Sequence, residues 1–277
     1  MPDAAARYLW LADAGRNEAW RYGAGLAIVV FFFEVVGFAP YWLAREWTPF
    51  TPAWEFVALN LGVLCGFAGL AIAVTGLHRR RLLTLVTPQP RIDWRRILTG
   101  AAVWALFAAL SSALEALLYP GRYRWTFNPE LYFVYALLAL ALTPLQTTTE
   151  ELIFRGYLMQ ALGRIARRPA VIVVASALVF TLPHAANPEV AQAPWLVLPQ
   201  YFIIGALLGA VTLKDGRLEL ALGIHAANNL FTGLICNVEL SVLATEALFT
   251  ARFDPAYALA ALAVSSVATW LVLFRGR

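Results

Sequence analysis

Charged residues, histidines and cysteines are all scarce in this 277-residue chain. Charged side chains make up 14% of the sequence and hydrophobic side chains 61%, with only 3 histidines and 2 cysteines. The mean hydropathy is +0.67, whereas a soluble domain is only about half apolar. The shortage of charge therefore excludes a soluble domain. Several long apolar runs instead predict an all-α, polytopic membrane protein.

The scarcity of cysteine and of charge also limits the functions that the chain can have. Cys65 and Cys236 lie in apolar surroundings without a CxxC or other metal-ligand spacing, so we expect two free thiols. Arginines near the ends of apolar runs account for the net charge of +4, and we predict no nucleic-acid partner. We expect no secretory signal, because the N-terminus carries acids and the first apolar run is too long.

The apolar runs predict eight transmembrane helices in a single membrane domain, residues 22–277, preceded by a cytoplasmic or interfacial arm, residues 1–21. The expected spans are 22–44, 54–77, 97–119, 131–150, 170–184, 195–213, 218–235 and 255–274. The fourth helix should continue to Gly163, and its length of about 50 Å exceeds a bilayer core of about 30 Å. It must therefore tilt, bend at Pro144 or extend into water.

Basic residues predict the orientation of these spans. With eight spans both termini lie on one side, and that side receives sixteen of the 21 basic residues against four on the other. Cytoplasmic loops carry an excess of Lys and Arg. We therefore expect both termini in the cytoplasm and a multi-pass protein of the plasma (inner) membrane. Arg155 belongs to neither side, because it lies inside an apolar run.

Arg155 is part of a short charged cluster, Glu150-Glu151-x-x-x-Arg155. Ionisable side chains at membrane depth are costly and usually face a protein interior or a water-filled cavity. On a helix, Glu151 and Arg155 are i,i+4 neighbours and can form an ion pair. Glu150 points about 100° away and has no cationic partner on its own helix. The spacing thus predicts one neutralised carboxylate and one free carboxylate.

Two further polar patterns follow on apolar helices. Phe180 and His184 are i,i+4 neighbours, and so are His225 and Asn229. Each pattern alone is typical of hydrogen bonds that hold membrane helices together. Asn228 points to another helix face, and we interpret it as a packing residue. Combined with the free carboxylate, however, the two histidines and the amide supply a base to activate water and donors for an oxyanion.

The three patterns, in this order, resemble the motifs of the CPBP family of intramembrane proteases, which includes the Ras-converting CAAX prenyl endopeptidases and Abi-like proteins. The matching core is residues 147–230. The resemblance implies an intramembrane endopeptidase of the glutamate type, with its active site facing the cytoplasm. Its substrate would be a peptide or protein in or at the lipid bilayer, with or without a prenyl group, cleaved near its C-terminus.

The resemblance also implies a role for each motif residue. Glu150 and His184 would activate the water, and His225 and Asn229 would bind the oxyanion. The supporting residues would be Glu151, Arg155 and Phe180. No cofactor is expected on this interpretation. The alternative is zinc bound by Glu150, His184 and His225, which the absence of a His-Glu-x-x-His motif disfavours.

Two other function classes stay open at this stage. A proton-coupled transporter would use acids spread across the bilayer, and Glu34 and Glu115 lie in the first and third spans. A non-catalytic immunity or binding scaffold would keep the same fold without hydrolysis. The clustering of the motif acids with the histidines favours the protease over the transporter.

Overall fold

A computed structural model describes residues 3–47, 50–239, 241–242 and 245–276. Residues 1 and 2 of the expected N-terminal arm lie outside this description. Arg277, which was counted among the basic residues of the cytoplasmic side, also lies outside it.

The described chain is almost entirely helical. A short helix, α1, precedes a series of longer ones, and two of the helices, α6 and α8, have only 16 residues each. The helices are α1 (Asp3–Leu9), α2 (Ala19–Trp47), α3 (Pro52–Leu77), α4 (Trp94–Leu118), α5 (Pro129–Leu162), α6 (Pro169–His184), α7 (Pro194–Asp215), α8 (Glu219–Leu234) and α9 (Pro255–Phe274).

Six of these helices are long and apolar enough to cross a membrane, namely α2, α3, α4, α5, α7 and α9. The all-α membrane fold predicted from composition is therefore confirmed at this level. The fifth and seventh expected spans coincide with α6 and α8. A membrane-crossing helix needs about 20 residues, so the length of these two helices does not establish that they cross.

Helix α5 is the longest, with 34 residues. Pro144 lies inside it, and the helix continues beyond this residue. Directly after the acid pair, residues Leu152–Leu158 form a π-helical segment. Similar segments occur at Phe31–Phe38 in α2 and Ala73–Leu77 in α3. π-Helical turns are rare and are frequently found at functional sites, which draws attention to the segment that carries Arg155.

Helices α4 and α8 approach each other through two glycines. A Cβ atom at Gly223 would lie 1.9 Å from the carbonyl oxygen of Ile97, and one at Gly100 would lie 2.3 Å from that of Leu220. No side chain fits at either position. The two backbones are therefore in direct contact, and this contact fixes the position of α8, which carries His225.

A small three-stranded sheet covers one end of the bundle. Its strands are β1 (Tyr123–Trp125), β2 (Cys236–Val238) and β3 (Phe249–Ala251), in the order β1-β3-β2. β1 and β3 are antiparallel, and β2 and β3 are parallel. The strands join the segment between α4 and α5 to the segment between α8 and α9. This sheet was not anticipated from the sequence, because each strand has only three residues.

The N-terminal arm packs into the end of the helix bundle that lies opposite the sheet. Tyr8 of α1 is fully buried, and its hydroxyl donates to the carbonyl oxygens of Leu85 at 2.6 Å and Arg155 at 3.1 Å. Trp10, by contrast, is 57% exposed. The arm is thus anchored to the π-helical segment of α5 by a buried side chain.

The apolar core lies around the second half of α5. Many of its members come from α5, α6, α7 and α8, and Trp104 of α4 and Tyr8 of α1 also belong to it. The fully buried side chains among them include Tyr157, Met159, Phe180, Leu208 and Ile224.

Candidate active site

The acid pair occupies the last two positions of the α-helical stretch Pro129–Glu151 of α5. Glu151 and Arg155 are completely buried, and Glu150 is only 9% exposed. Buried charges are costly unless they are paired and hydrogen-bonded. The partners of these three side chains therefore decide what the site can do.

Arg155 binds Glu151 as its i,i+4 spacing requires. Nη1 of Arg155 lies 2.8 Å from Oε1 of Glu151. Nη2 donates to the carbonyl oxygen of Gly205 on α7 at 3.2 Å. The guanidinium also lies over the ring of Phe180, 4.2 Å from its centroid. Phe180 thus supports the arginine through a cation–π contact rather than contacting the acids.

His225 lies between the two carboxylates. Its Nδ1 is 2.8 Å from Oε1 of Glu151, and its Nε2 is 3.5 Å from Oε2 of Glu150. The carboxylate of Glu151 accepts from Arg155, so Nδ1 of the imidazole is the donor in the first contact. Nε2 is then the nitrogen that faces Glu150. The family resemblance pairs His184 with Glu150, and in the structure the imidazole beside Glu150 is that of His225.

His184 is the last residue of α6 and makes different contacts. Its Nδ1 lies 2.8 Å from the carbonyl oxygen of Phe180, one turn earlier. Its ring packs on Tyr201 of α7, with 4.4 Å between ring centroids. A carbonyl can only accept, so Nδ1 carries the proton, and Nε2 of the neutral ring keeps its lone pair. Within the described part of the chain, His184 and Glu150 are not hydrogen-bonded to each other.

Gln146 connects Glu150 with Asn229 and was missed in the sequence analysis. Its Nε2 donates to Oε1 of Glu150 at 2.6 Å, and its Oε1 accepts from Nδ2 of Asn229 at 3.4 Å. The signal was present, because an amide one turn before an unpaired glutamate on an apolar helix can reach its carboxylate. Glu150 and Asn229 are therefore joined through a shared amide.

Asn228 is also part of the site and is more than a packing residue. Its Nδ2 donates to Oδ1 of Asn229 at 3.0 Å, and its Oδ1 accepts from the indole Nε1 of Trp104 at 3.1 Å. Trp104 lies on α4 and is buried. Asn228 thus holds α8 to α4, as expected of a packing residue on another helix face, and its side chain also reaches Asn229.

Comparison with known proteins relates this chain to a family. Residues 129–231 match the model of the "Type II CAAX prenyl endopeptidase Rce1-like" family. The chain is 30% identical over 234 residues to the uncharacterized protein YyaK of Bacillus subtilis (strain 168), and the match covers 78% of each protein. The chain belongs to the Rce1-like family. The resemblance seen in the three motifs is thereby confirmed, and family membership indicates a membrane protease. No solved structure matches the chain.

The Rce1-like match extends from the first residue of α5 into α8. It includes all seven motif residues and also Gln146 and Asn228. Trp104 and the N-terminal arm lie outside it. The helices that meet at the charged cluster are thus the ones that the family shares.

The alternative zinc site has three expected ligands, Glu150, His184 and His225. In residues 3–47, 50–239, 241–242 and 245–276, no three His, Cys, Asp or Glu side chains form a group that could hold a metal ion. The alternative ligand set of Glu150, His184 and His225 is therefore not assembled.

Glu34 and Glu115, the two acids considered for a proton-coupled transporter, have surroundings that differ from those of the motif acids. Oε1 of Glu115 lies 2.7 Å from Nη1 of Arg122, and its Oε2 accepts from the hydroxyl of Tyr123 at 2.6 Å. This network lies at the sheet-covered end of the bundle. Glu34 is exposed on α2. Neither acid contacts the cluster of Glu150, so the arrangement does not resemble a proton relay across the bilayer.

Proposed function

We propose that this protein is an intramembrane endopeptidase that hydrolyses a peptide bond with water activated by Glu150 and His184. The observation that carries the proposal is the unequal environment of the two adjacent carboxylates. Glu151 is neutralised by Arg155 at 2.8 Å. Glu150 has no arginine or lysine partner among the described ion pairs, and its buried Oε2 accepts no hydrogen bond there. A carboxylate with a free oxygen is suited to accept a proton from water.

His184 complements Glu150 in this proposal. With Nδ1 donating to its own helix, Nε2 offers a lone pair to the same water. The ring of His184 packs on Phe180 of its own helix and on Tyr201 of α7. No hydrogen bond joins His184 to Glu150 among the described residues, and catalytic hydrogen bonds in unliganded enzymes are often incomplete.

His225 and Asn229 are the proposed oxyanion donors. Nδ1 of His225 donates to Glu151, so only Nε2 is directed toward a substrate, and Nε2 donates to the oxyanion when the ring carries a second proton there. Nδ2 of Asn229 lies one helical turn further along α8. Two preorganised donors on one helix face can bind the oxygen that becomes negative when water attacks the carbonyl carbon. No covalent intermediate is needed, and no step requires a metal ion.

The proposed substrate is a membrane-associated peptide or protein, cleaved near its C-terminus. The name of the family points to a prenylated C-terminus, and this chain's own requirement for a prenyl group is part of the proposal. We further propose eight membrane spans, both termini in the cytoplasm and an active site open to the cytoplasm at the inner membrane. The excess of basic residues on the side of both termini supports this orientation.

Cleavage in the native membrane tests the proposal. Membranes that contain the parent protein should yield a C-terminal fragment, detected by mass spectrometry, that is absent with the Glu150→Gln variant. Synthetic peptides with and without a farnesyl group, offered to the purified protein in lipid nanodiscs, then decide the need for the lipid. Exhaustive chelation should leave turnover largely intact. Loss of turnover that stoichiometric zinc restores would overturn the metal-free mechanism, and flux of a solute without any cleaved product would favour a transporter.

A further inference from the structure

The hydrogen bonds from Trp104 to Glu150 form one chain with a single direction. Four successive bonds lead from α4 through α8 to α5, and each of the three amides between the ends accepts with its oxygen and donates with its nitrogen. The amides, in order, are Asn228, Asn229 and Gln146.

The two ends of the chain make this direction unambiguous. The indole nitrogen of Trp104 can only donate, and an ionised carboxylate such as Glu150 can only accept. Orientations of amide side chains are often ambiguous, because nitrogen and oxygen look alike. Here a rotation of any one amide by 180° would bring two donors or two acceptors face to face. The orientation of Asn229, the proposed oxyanion donor, is thus imposed from both sides.

Each amide nitrogen in the chain has a second hydrogen. The side chains of Asn229 and Gln146 each use one N–H in the chain and make no other hydrogen bond as donors within the described residues. Gln146 lies next to the carboxylate of Glu150, and Asn229 is joined to that carboxylate through Gln146. Their second N–H groups are donors of the kind that an oxyanion requires.

The link from Asn229 to Gln146 is the weakest of the four. At 3.4 Å it is longer than an ordinary N–H···O bond, whereas the other three range from 2.6 to 3.1 Å. At this length the amide of Asn229 has room to turn its second N–H toward a substrate oxygen while its first N–H stays on Gln146. The three shorter links hold the rest of the hydrogen-bond chain in place.

The Trp104 end of the hydrogen-bond chain lies beside the close backbone contact between α4 and α8. Trp104 lies one turn beyond Gly100, which packs directly on the backbone of α8. Asn228 lies one turn and a half beyond Gly223, the reciprocal contact. The distance between the indole and the asparagine is therefore set by backbone packing, not by flexible side chains.

We propose that Gln146 and Asn228 are positioning residues for peptide hydrolysis, which fix the base Glu150 and the donor Asn229 in one polarised hydrogen-bond chain that begins at Trp104. The proposal rests on the proposed function. It assigns roles to two residues outside the three motifs, and it explains why Asn229 presents its nitrogen rather than its oxygen to the site.

The test uses the substitutions Gln146→Leu and Asn228→Leu, singly and together, in the full-length protein in nanodiscs. Each single variant should lower kcat by about 10- to 100-fold, the range found for hydrogen-bond partners that orient metal ligands. KM should change by no more than about twofold, because the residues act on reacting groups and not on substrate binding. Gln146→Glu keeps the shape, but its ionised carboxylate cannot donate to Glu150, and above the pH at which this carboxyl group ionises the variant should be as slow as Gln146→Leu.

Gln200→Leu is the matched control. Gln200 is a half-buried glutamine on α7 that donates to the backbone oxygens of Leu196 and Pro255. It lies outside the chain and should retain the kcat of the parent. A loss in this variant equal to that of Gln146→Leu would overturn a specific role for Gln146.

The double variant distinguishes a connected chain from two independent contacts. Gln146 and Asn228 are not hydrogen-bonded to each other, so any coupling between them must pass through Asn229. Breaking a chain twice costs little more than breaking it once, and the double variant should be about as slow as the slower single variant. Fold losses that multiply would overturn the proposal.

Thermal unfolding of the same proteins separates failure of this inference from failure of the proposed function. The losses in Tm should also be non-additive, and this measurement requires no substrate. If the parent hydrolysed no peptide, the proposed function and the positioning role would both fail, and non-additive Tm losses would still establish the chain. If the parent is active and the losses in Tm and kcat are additive, only the inference fails.

Discussion

Arg155 and His225 share one oxygen atom of Glu151. Nη1 of the arginine and Nδ1 of the histidine each lie 2.8 Å from Oε1, and the buried Oε2 of the same carboxylate accepts no hydrogen bond from the described residues. One glutamate thus fixes a cation on its own helix and an imidazole on α8. Since both partners depend on its negative charge, Glu151 is a structural centre of the site.

Loss of that charge should destabilise the fold. In Glu151→Gln the guanidinium of Arg155 would remain fully buried without a counter-ion, and breaking a buried pair in this way costs about 3–5 kcal/mol. The Tm of Glu151→Gln in detergent or nanodiscs should therefore fall clearly below that of the parent. Glu150→Gln is the matched control, because Gln146 can still hydrogen-bond the new amide, and its Tm should stay near that of the parent. Equal Tm losses in the two variants would contradict this division of roles.

Asn229→Ala should slow the chemical step. Removal of one preorganised oxyanion donor costs on the order of 100- to 1,000-fold in turnover, about 3–4 kcal/mol. KM should change little, because the donor acts mainly in the transition state. Steady-state kinetics with a cleavable peptide would measure both constants. An Asn229→Ala enzyme as active as the parent would remove the residue from the oxyanion site.

Tyr8→Phe should loosen the N-terminal arm. The variant leaves the carbonyl oxygens of Leu85 and Arg155 without the buried hydroxyl that now binds them, and a buried polar group without a partner costs about 1–3 kcal/mol. The Tm should fall, and hydrogen exchange should rise in α1 and in Leu152–Leu158. Tyr132→Phe is the control, since Tyr132 makes only ring contacts among the described residues. Equal effects of the two substitutions would argue against the anchor.

His78, just after α3, should make stability depend on pH. Its Nδ1 donates to the carbonyl oxygen of Arg16 at 2.6 Å, and its Nε2 lies 2.8 Å from the hydroxyl of Tyr157. Burial lowers the pKa of His78 below its ordinary value. The unfolded chain therefore binds a proton at a higher pH than the folded protein does, so stability should fall as the pH drops below about 6.5.

The measurement for His78 is Tm between pH 8 and pH 5 for the parent and for His78→Gln. The parent should lose stability toward pH 5 more steeply than the variant, because the variant has no imidazole to protonate at this position. Identical slopes would show that protonation of His78 does not contribute.

Contacts within one helix could be predicted from the sequence. The ion pair of Glu151 and Arg155 follows from their spacing, because neighbours four residues apart share a face of any α-helix. The positions of the long apolar helices follow from hydropathy for the same local reason. The link from Gln146 to Glu150 has this spacing too and could have been found.

Contacts between helices could not be predicted. The choice between His184 and His225 as the imidazole beside Glu150 depends on the rotation of α6 and α8 about their axes. The packing of Gly223 on Ile97 sets the position of α8, and no pattern within α8 reveals its partner. The connection of Asn228 to Trp104 depends on the same contact. In the small sheet, β1 pairs with β3 more than 100 residues away, and single short strands do not encode such a pairing.

The most direct test of the account is the kcat of Glu150→Gln with a peptide that the parent protein cleaves. The measurement is made on purified protein in nanodiscs, under exhaustive chelation, with the Tm of the variant checked against the parent. Because the amide cannot take a proton from water, we predict a folded protein with turnover reduced by at least about 100-fold, the contribution typical of a general base. A folded Glu150→Gln variant that cleaves the peptide as fast as the parent would contradict the central claim.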